Sequence, residues 1–129
     1  MIVANWIMQV SFEPPLVAIG VEFDSEMRHF IEDSKYFSLN MLPAGSTQLA
    51  KAFLKKSKHV VTTINEKEFF ISKHGVPFLK EASDSLECRV MISTRTGDHV
   101  LFVGEVTDGL SKGDGSILTL QETGWKYSR

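Results

Sequence analysis

Residues 5–23 read NWIMQVSFEPPLVAIGVEF, two apolar runs broken by Pro14-Pro15. In the first run Trp6, Met8, Val10 and Phe12 alternate with Ile7, Gln9, Ser11 and Glu13. That period of two belongs to an extended chain. The second run, 16–21, is apolar almost throughout and β-branched at Val17, Ile19 and Val21. It predicts a central strand covered on both faces. Proline has no N–H to give a ladder, so the pair marks the corner between two strands.

The remaining segments arrange themselves around this strand–corner–strand frame. Asp24-Ser25 are good helix caps, and Met27, Phe30 and Ile31 then recur at helical spacing, which predicts a short amphipathic helix over 26–33. A strand follows over 36–42, stopped by Pro43-Ala44-Gly45. A second helix, 47–56, is expected to bury Leu49, Ala50, Phe53 and Leu54 and to show Lys51, Lys55 and Lys58 on another face. Residues 60–63 read as a short strand or a connector, and 66–73 as ambiguous. Gly75-Val76-Pro77 marks a turn, and the polar run 80–85 reads as exposed. Strands at 86–94 and 99–106 flank a tight hairpin at Thr96-Gly97-Asp98. A Gly-rich loop over 108–115, a last strand over 117–121 and an aromatic segment over 123–127 complete the chain. Short strands with two helices give an α+β fold, a small barrel with helices at one side.

The bulk numbers set limits. A chain of 129 residues suggests one domain with a real core. At 43% hydrophobic and 23% charged, disorder is not expected. A net charge of −2 gives no reason to expect nucleic acid. No apolar run approaches the roughly 20 residues that span a bilayer. The start lacks a basic region and a small-residue cleavage site, so no signal peptide is expected. The single cysteine, Cys88, fits a reducing compartment, the cytoplasm.

Residue chemistry leaves open readings. Ser25 caps a helix, or holds a phosphate at the helix start. Trp6 reads as a core aromatic. Lys51, Lys55, Lys56 and Lys58 form a solvated face, or one of them pairs with a phosphate. His99 reads as surface structure beside a turn. Cys88 sits in an apolar strand and reads as a small core residue rather than a nucleophile. His29, His59 and His74 show no metal-ligand spacing, so no metal is expected. No P-loop and no Rossmann glycine pattern is present.

Five motifs in order carry a resemblance: WIMQVSFEPPLVA at 6–18, FSLNML at 37–42, QLAKAF at 48–53, LEC at 86–88 and GDHVLFVGEV at 97–106. Together they resemble the flavin reductase-like, FMN-binding split β-barrel family over nearly the whole chain. Relatives usually carry a further strand ahead of the first one here; this sequence lacks it, through either a naturally short or an incomplete start. The resemblance implies non-covalent FMN, with FAD as a possible substitute, and hydride transfer from NAD(P)H to the flavin. It places the flavin's pyrimidine edge on the backbone of Val3, Ala4, Asn5 and Trp6, and the phosphate at the turn holding Asp24, Ser25, Met27 and Arg28. Relatives often carry Thr in place of Val3, a change that backbone contacts survive. They often carry Ser or Thr in place of Met27, where Arg28 supplies charge instead. The segment with Gln48, Ala50, Phe53 and Lys56 corresponds to a helix approaching the cofactor, and His99 to a histidine near the flavin and nicotinamide. A homodimer and a downstream electron acceptor are implied as partners. An FMN-carrying electron-transfer protein without a nicotinamide site, and a cofactor-free barrel, stand as alternatives.

Overall fold

The computed structural model describes residues 1–55, 59–60, 62–113 and 115–127, with backbone alone for His59 and Val60. In chain order the elements are β1 (Ile7–Ser11), β2 (Leu16–Glu22), α1 (Glu26–Ser34), β3 (Tyr36–Met41), α2 (Thr47–Lys51), β4 (His59–Val60), β5 (Thr63–Ile64), β6 (Lys67–Ile71), β7 (Pro77–Leu79), β8 (Asp84–Thr96), β9 (His99–Ser111) and α3 (Leu120–Thr123). They form an antiparallel five-stranded sheet, β1-β2-β9-β8-β3, and a four-stranded sheet, β4-β5-β6-β7. The fold is α+β, mostly antiparallel sheet with short helices.

The sheets meet at a split bridged by side chains. Ser38 Oγ donates to the Pro77 carbonyl at 2.7 Å, and Leu79 N–H donates to Asn40 Oδ1 at 2.9 Å. Asn40 Oδ1 also accepts from Ser85 Oγ at 2.8 Å. One apolar cluster lies under the large sheet, with Val17, Ile19, Val21, Ile31, Phe37, Cys88 and Phe102 at its centre. A second gathers Leu49, Phe53, Ile64, Phe69, Leu79 and Ala82.

The central strand behaves as its composition demands. β2 pairs with β1 on one side and β9 on the other, and Val17, Ala18, Ile19 and Val21 are all buried. β1 differs: as an edge strand it exposes both of its alternating sets. α1 begins at Ser25, whose hydroxyl accepts from Met27 N–H at 3.1 Å, and ends at Lys35 in the left-handed region at φ 65°.

Several expectations change. α2 stops at Lys51. The next N–H groups, on Ala52, Phe53 and Leu54, bond three residues back at 3.0–3.3 Å, so the helix tightens and stops. Phe53 still reaches the core, but Leu54 swings out to 60% exposure. No helical Lys51–Lys55 face forms, and Lys56 and Lys58 lie outside the described residues. The ambiguous stretch is β6, paired with β7. Of the short-strand segment, Val61 lies outside the described residues. The polar run is not all exposed, because Ala82 and Ser85 are each 2% exposed. β8 and β9 run 13 residues each, so 108–111 is strand and not loop. The last strand reduces to one bridge, Ile117 with Pro43. Thr119 then caps α3 by accepting from Glu122 N–H at 3.2 Å, which turns the chain into a helix instead.

Candidate functional site

The alternation along β2 and β9 builds the site. Val17, Ile19 and Val21 face the core with Val100 and Phe102, so Ala18, Gly20, Leu101 and His99 share the other face. Gly20 N–H donates to the Trp6 carbonyl at 3.0 Å, which extends the pairing beyond β1 and lays the indole across Gly20. A Cβ on Gly20 would come within 3.3 Å of Trp6 Cε3. The glycine therefore permits the indole to lie this low. The result is an open cleft of about 370 Å³, lined by Asn5, Trp6, Met8, Gly20, Thr96 and His99 among others.

His99 is held from both ring nitrogens. Nδ1 lies 2.6 Å from Asp98 Oδ1 and Nε2 lies 2.8 Å from the Tyr127 hydroxyl. The Trp6 ring is 4.5 Å from the imidazole centroid and 4.6 Å from that of Tyr127. The β8–β9 turn that delivers His99 has Gly97 at φ 71°, the positive φ that the first central residue of a type II′ hairpin requires.

The hairpin that bounds the cleft is also tied to the start of α1. Phe23 N–H donates to the Asp98 carbonyl at 2.8 Å, tying the end of β2 to the hairpin. The guanidinium of Arg95 sits 3.7 Å, and that of Arg28 4.4 Å, from the Phe23 ring centroid. Arg28 is also paired with Glu32 at 2.8 Å. Two cations thus stand beside a helix N-terminus, on the core side of the hairpin whose other face lines the cleft. A helix start with two cations suits a phosphate.

The structure brings some of the expected residues together and separates others. Asn5 and Trp6 line the cleft with His99. Val3 and Ala4 lie exposed just before them and outside the lining. Asp24, Ser25 and Arg28 gather at the start of α1, while Met27 packs against the core. Gln48, Ala50 and Phe53 do not reach the cleft. Phe53 lies in the second apolar cluster, Ala50 is 2% exposed, and Gln48 faces solvent. Lys56 lies outside the described residues. Sequence reasoning missed Arg95, Asp98 and Tyr127. Only the closeness of Arg95 and Asp98 to the hairpin glycine offered a signal. Among the described residues no three His, Cys, Asp or Glu side chains gather as a metal would need, and no helix is long and apolar enough to cross a membrane.

A second polar cluster lies at the seam between the sheets. Glu87 is fully buried and accepts from His74 N–H at 2.7 Å, from Thr107 Oγ1 at 2.7 Å and from Ser72 Oγ. Its Oε1 lies 2.5 Å from His74 Nδ1. Burial alone would raise its pKa, but these hydrogen bonds outweigh it and hold the carboxyl at about 2. The neighbouring Cys88 is pushed up to about 12 by burial and then by the Glu87 charge. It stays a thiol, as a core residue would.

Comparison with known proteins places this geometry. The chain is 31% identical over 114 residues to diflavin flavoprotein A 1 of Synechocystis, covering 87% of this chain and 20% of that protein. It is 31% identical over 105 residues to an NADH-dependent FAD reductase of Streptomyces globisporus, covering 80% of this chain and 58% of that one. Among solved structures, the flavin reductase PheA2 superposes with a TM-score of 0.76 at 30% identity, over 90% of this chain and 72% of that one. The chain spans from about a fifth to three fifths of the curated relatives it matches. The flavin reductase like domain profile matches residues 1–126, taking in the Pro-Pro corner, the cleft and the α1 start together. The chain therefore belongs to the flavin reductase-like domain family.

Proposed function

We propose that the chain is one flavin reductase-like domain, 1–129, that binds FMN non-covalently and oxidises NAD(P)H. The observation that supports the reading is proximity: the 2.8 Å bond from Phe23 N–H to Asp98 O ties the hairpin that lines the cleft to the cation-flanked start of α1. A flavin bound there would supply the hydride acceptor, and the chemistry would be the cofactor's own. The protein's part is position. Trp6, Met8 and Leu101 offer apolar walls, and the backbone at 3–6 offers donors and acceptors for a ring edge. Ser25, Arg28 and Arg95 receive the phosphate. His99 holds the nicotinamide by a hydrogen bond and needs to transfer no proton.

The rest of the reading stands on separate supports. The phosphate contacts favour FMN over riboflavin, with FAD acceptable if its second phosphate leaves the cleft. The open apolar edge at β1 supports a homodimer. The buried free thiol of Cys88 supports a reducing cytoplasm. Reduced flavin would serve a partner protein, free flavin or oxygen.

The test is stopped-flow bleaching of protein-bound FMN by NADH and by NADPH, beside FMN and riboflavin titrations. Bleaching by either nucleotide is expected, with FMN bound at least tenfold more tightly than riboflavin, as one charge-assisted hydrogen bond allows. Bleaching by dithionite alone would leave an electron carrier without a nicotinamide site. Equal affinities would remove the phosphate site.

A further inference from the structure

The Trp6–His99 corner of the cleft already holds a ring. Tyr127, in the segment after α3, lies on the Trp6 indole with centroids 4.6 Å apart and planes 24° from parallel. Its hydroxyl stands 2.8 Å from His99 Nε2. The imidazole beneath is only 4% exposed, and its Nδ1 lies 2.6 Å from Asp98 Oδ1. A carboxylate only accepts, so Nδ1 carries a proton towards Asp98. In the neutral ring Nε2 is then an acceptor, and the phenol O–H donates to it. The corner therefore offers a flat aromatic face and one hydrogen-bond acceptor at fixed spacing. Tyr127 satisfies both with one ring and one edge donor. It remains 43% exposed, so it is a ring laid on the surface of the site and not part of the core.

We propose that Tyr127 is a resident stand-in for a ligand ring. The Trp6–His99 corner is a subsite for a planar ring with a hydrogen-bond donor at its edge, and such a ring enters by displacing Tyr127. The identity of the ligand rests on the flavin reading above. Two groups share the chemistry: the imide N–H of a flavin and the carboxamide NH₂ of a nicotinamide. Each presents a flat face to the indole and a donor to Nε2. In either case the side chain sets a threshold, because ligand binding must first break a stacking contact and a hydrogen bond made within the chain.

The experiment titrates FMN and NAD⁺ separately into wild type, Tyr127→Ala and Tyr127→Phe. NAD⁺ is used because it does not reduce the flavin. Tyr127→Ala is expected to bind one of the two about tenfold more tightly, and that ligand names the ring. Tyr127→Phe keeps the stack and loses only the donor, so a gain of about threefold is expected. Should Tyr127→Ala not fold, the Phe variant carries the test alone. Unchanged or weaker binding of both ligands overturns the proposal, and Tyr127 is then a supporting wall. If no variant binds FMN or NAD⁺, the flavin reading fails, and p-cresol, the tyrosine side chain as a free molecule, decides the rest. Saturable binding of p-cresol to Tyr127→Ala but not to wild type, read from the Trp6 and His99 ring signals by NMR, sustains the subsite. No binding to either overturns it.

Discussion

Glu87 is a charge with no exposed surface, and its four hydrogen bonds join both sheets. Ser72 and His74 come from the β6–β7 hairpin of the small sheet, and Thr107 from β9 of the large one. Thr107 reaches it because β9 bulges there: Glu87 pairs with Asp108 and Cys88 with Val106, leaving Thr107 as the extra residue. A carboxyl at about 2, against an ordinary 4.5, stabilises the fold by about 3 kcal/mol when ionised. The folded value is the lower one, so this stability is complete above pH 4.5 and is lost as the pH falls towards 2. Urea unfolding of wild type and Glu87→Gln should therefore differ by about 3 kcal/mol near pH 7, with the gap closing between pH 4.5 and 2. A gap that persists at pH 2 would show that packing, not charge, sets the cost. None of this was legible in the sequence. The partners of Glu87 lie 13 to 20 positions away, and no local pattern joins them. The turn glycine two residues before His99 made the hairpin legible, but only the family resemblance marked His99 as a site candidate. Its partner Tyr127, 28 positions on, had no such mark.

At the scale of elements, the β8–β9 hairpin and β3 pack closely enough to require a missing side chain. A Cβ on Gly104 would lie 2.7 Å from Phe37 Cε1 and 2.8 Å from Cys88 Cβ. Phe37 and Cys88 are both core residues, so neither yields without repacking. Gly104→Ala should cost about 1–3 kcal/mol, measured by urea denaturation, although alanine suits a strand better than glycine in open space. An unchanged midpoint would mean that β3 slides freely over β9. The elements read correctly were those with a strong local signal: the β-branched run of β2, the cap of α1 and the glycine of the hairpin. Those misread had a local signal overridden by a tertiary contact or by a neighbouring signal. The apolar spacing of Leu49, Ala50 and Phe53 argues for a long helix, but tertiary burial of Phe53 is met by a tightened turn. The apolar pair Ile117-Leu118 argues for a strand, but Thr119 starts a helix.

At the scale of the whole molecule, the edge of the large sheet is the feature most in need of a partner. β1 is bonded to β2 on one side and stands at the end of the strand order on the other. Met8 is 63% exposed, Phe12 86%, and Ile7 and Val10 43% each. Aligned apolar side chains along an open ladder favour pairing with another chain. Ile7 and Met8 also line the cleft, so a second copy seated on β1 would cover its open side. Light scattering should give about twice the 14.5 kDa chain mass at micromolar concentration. Val10→Lys puts a charge on the edge without touching the residues of the cleft. It should shift the protein to monomer and weaken FMN binding severalfold, because the cleft then stays open to water. A monomeric wild type would remove the proposed dimer. A monomeric Val10→Lys that binds FMN as tightly as the wild-type dimer would show that each cleft is complete within one chain.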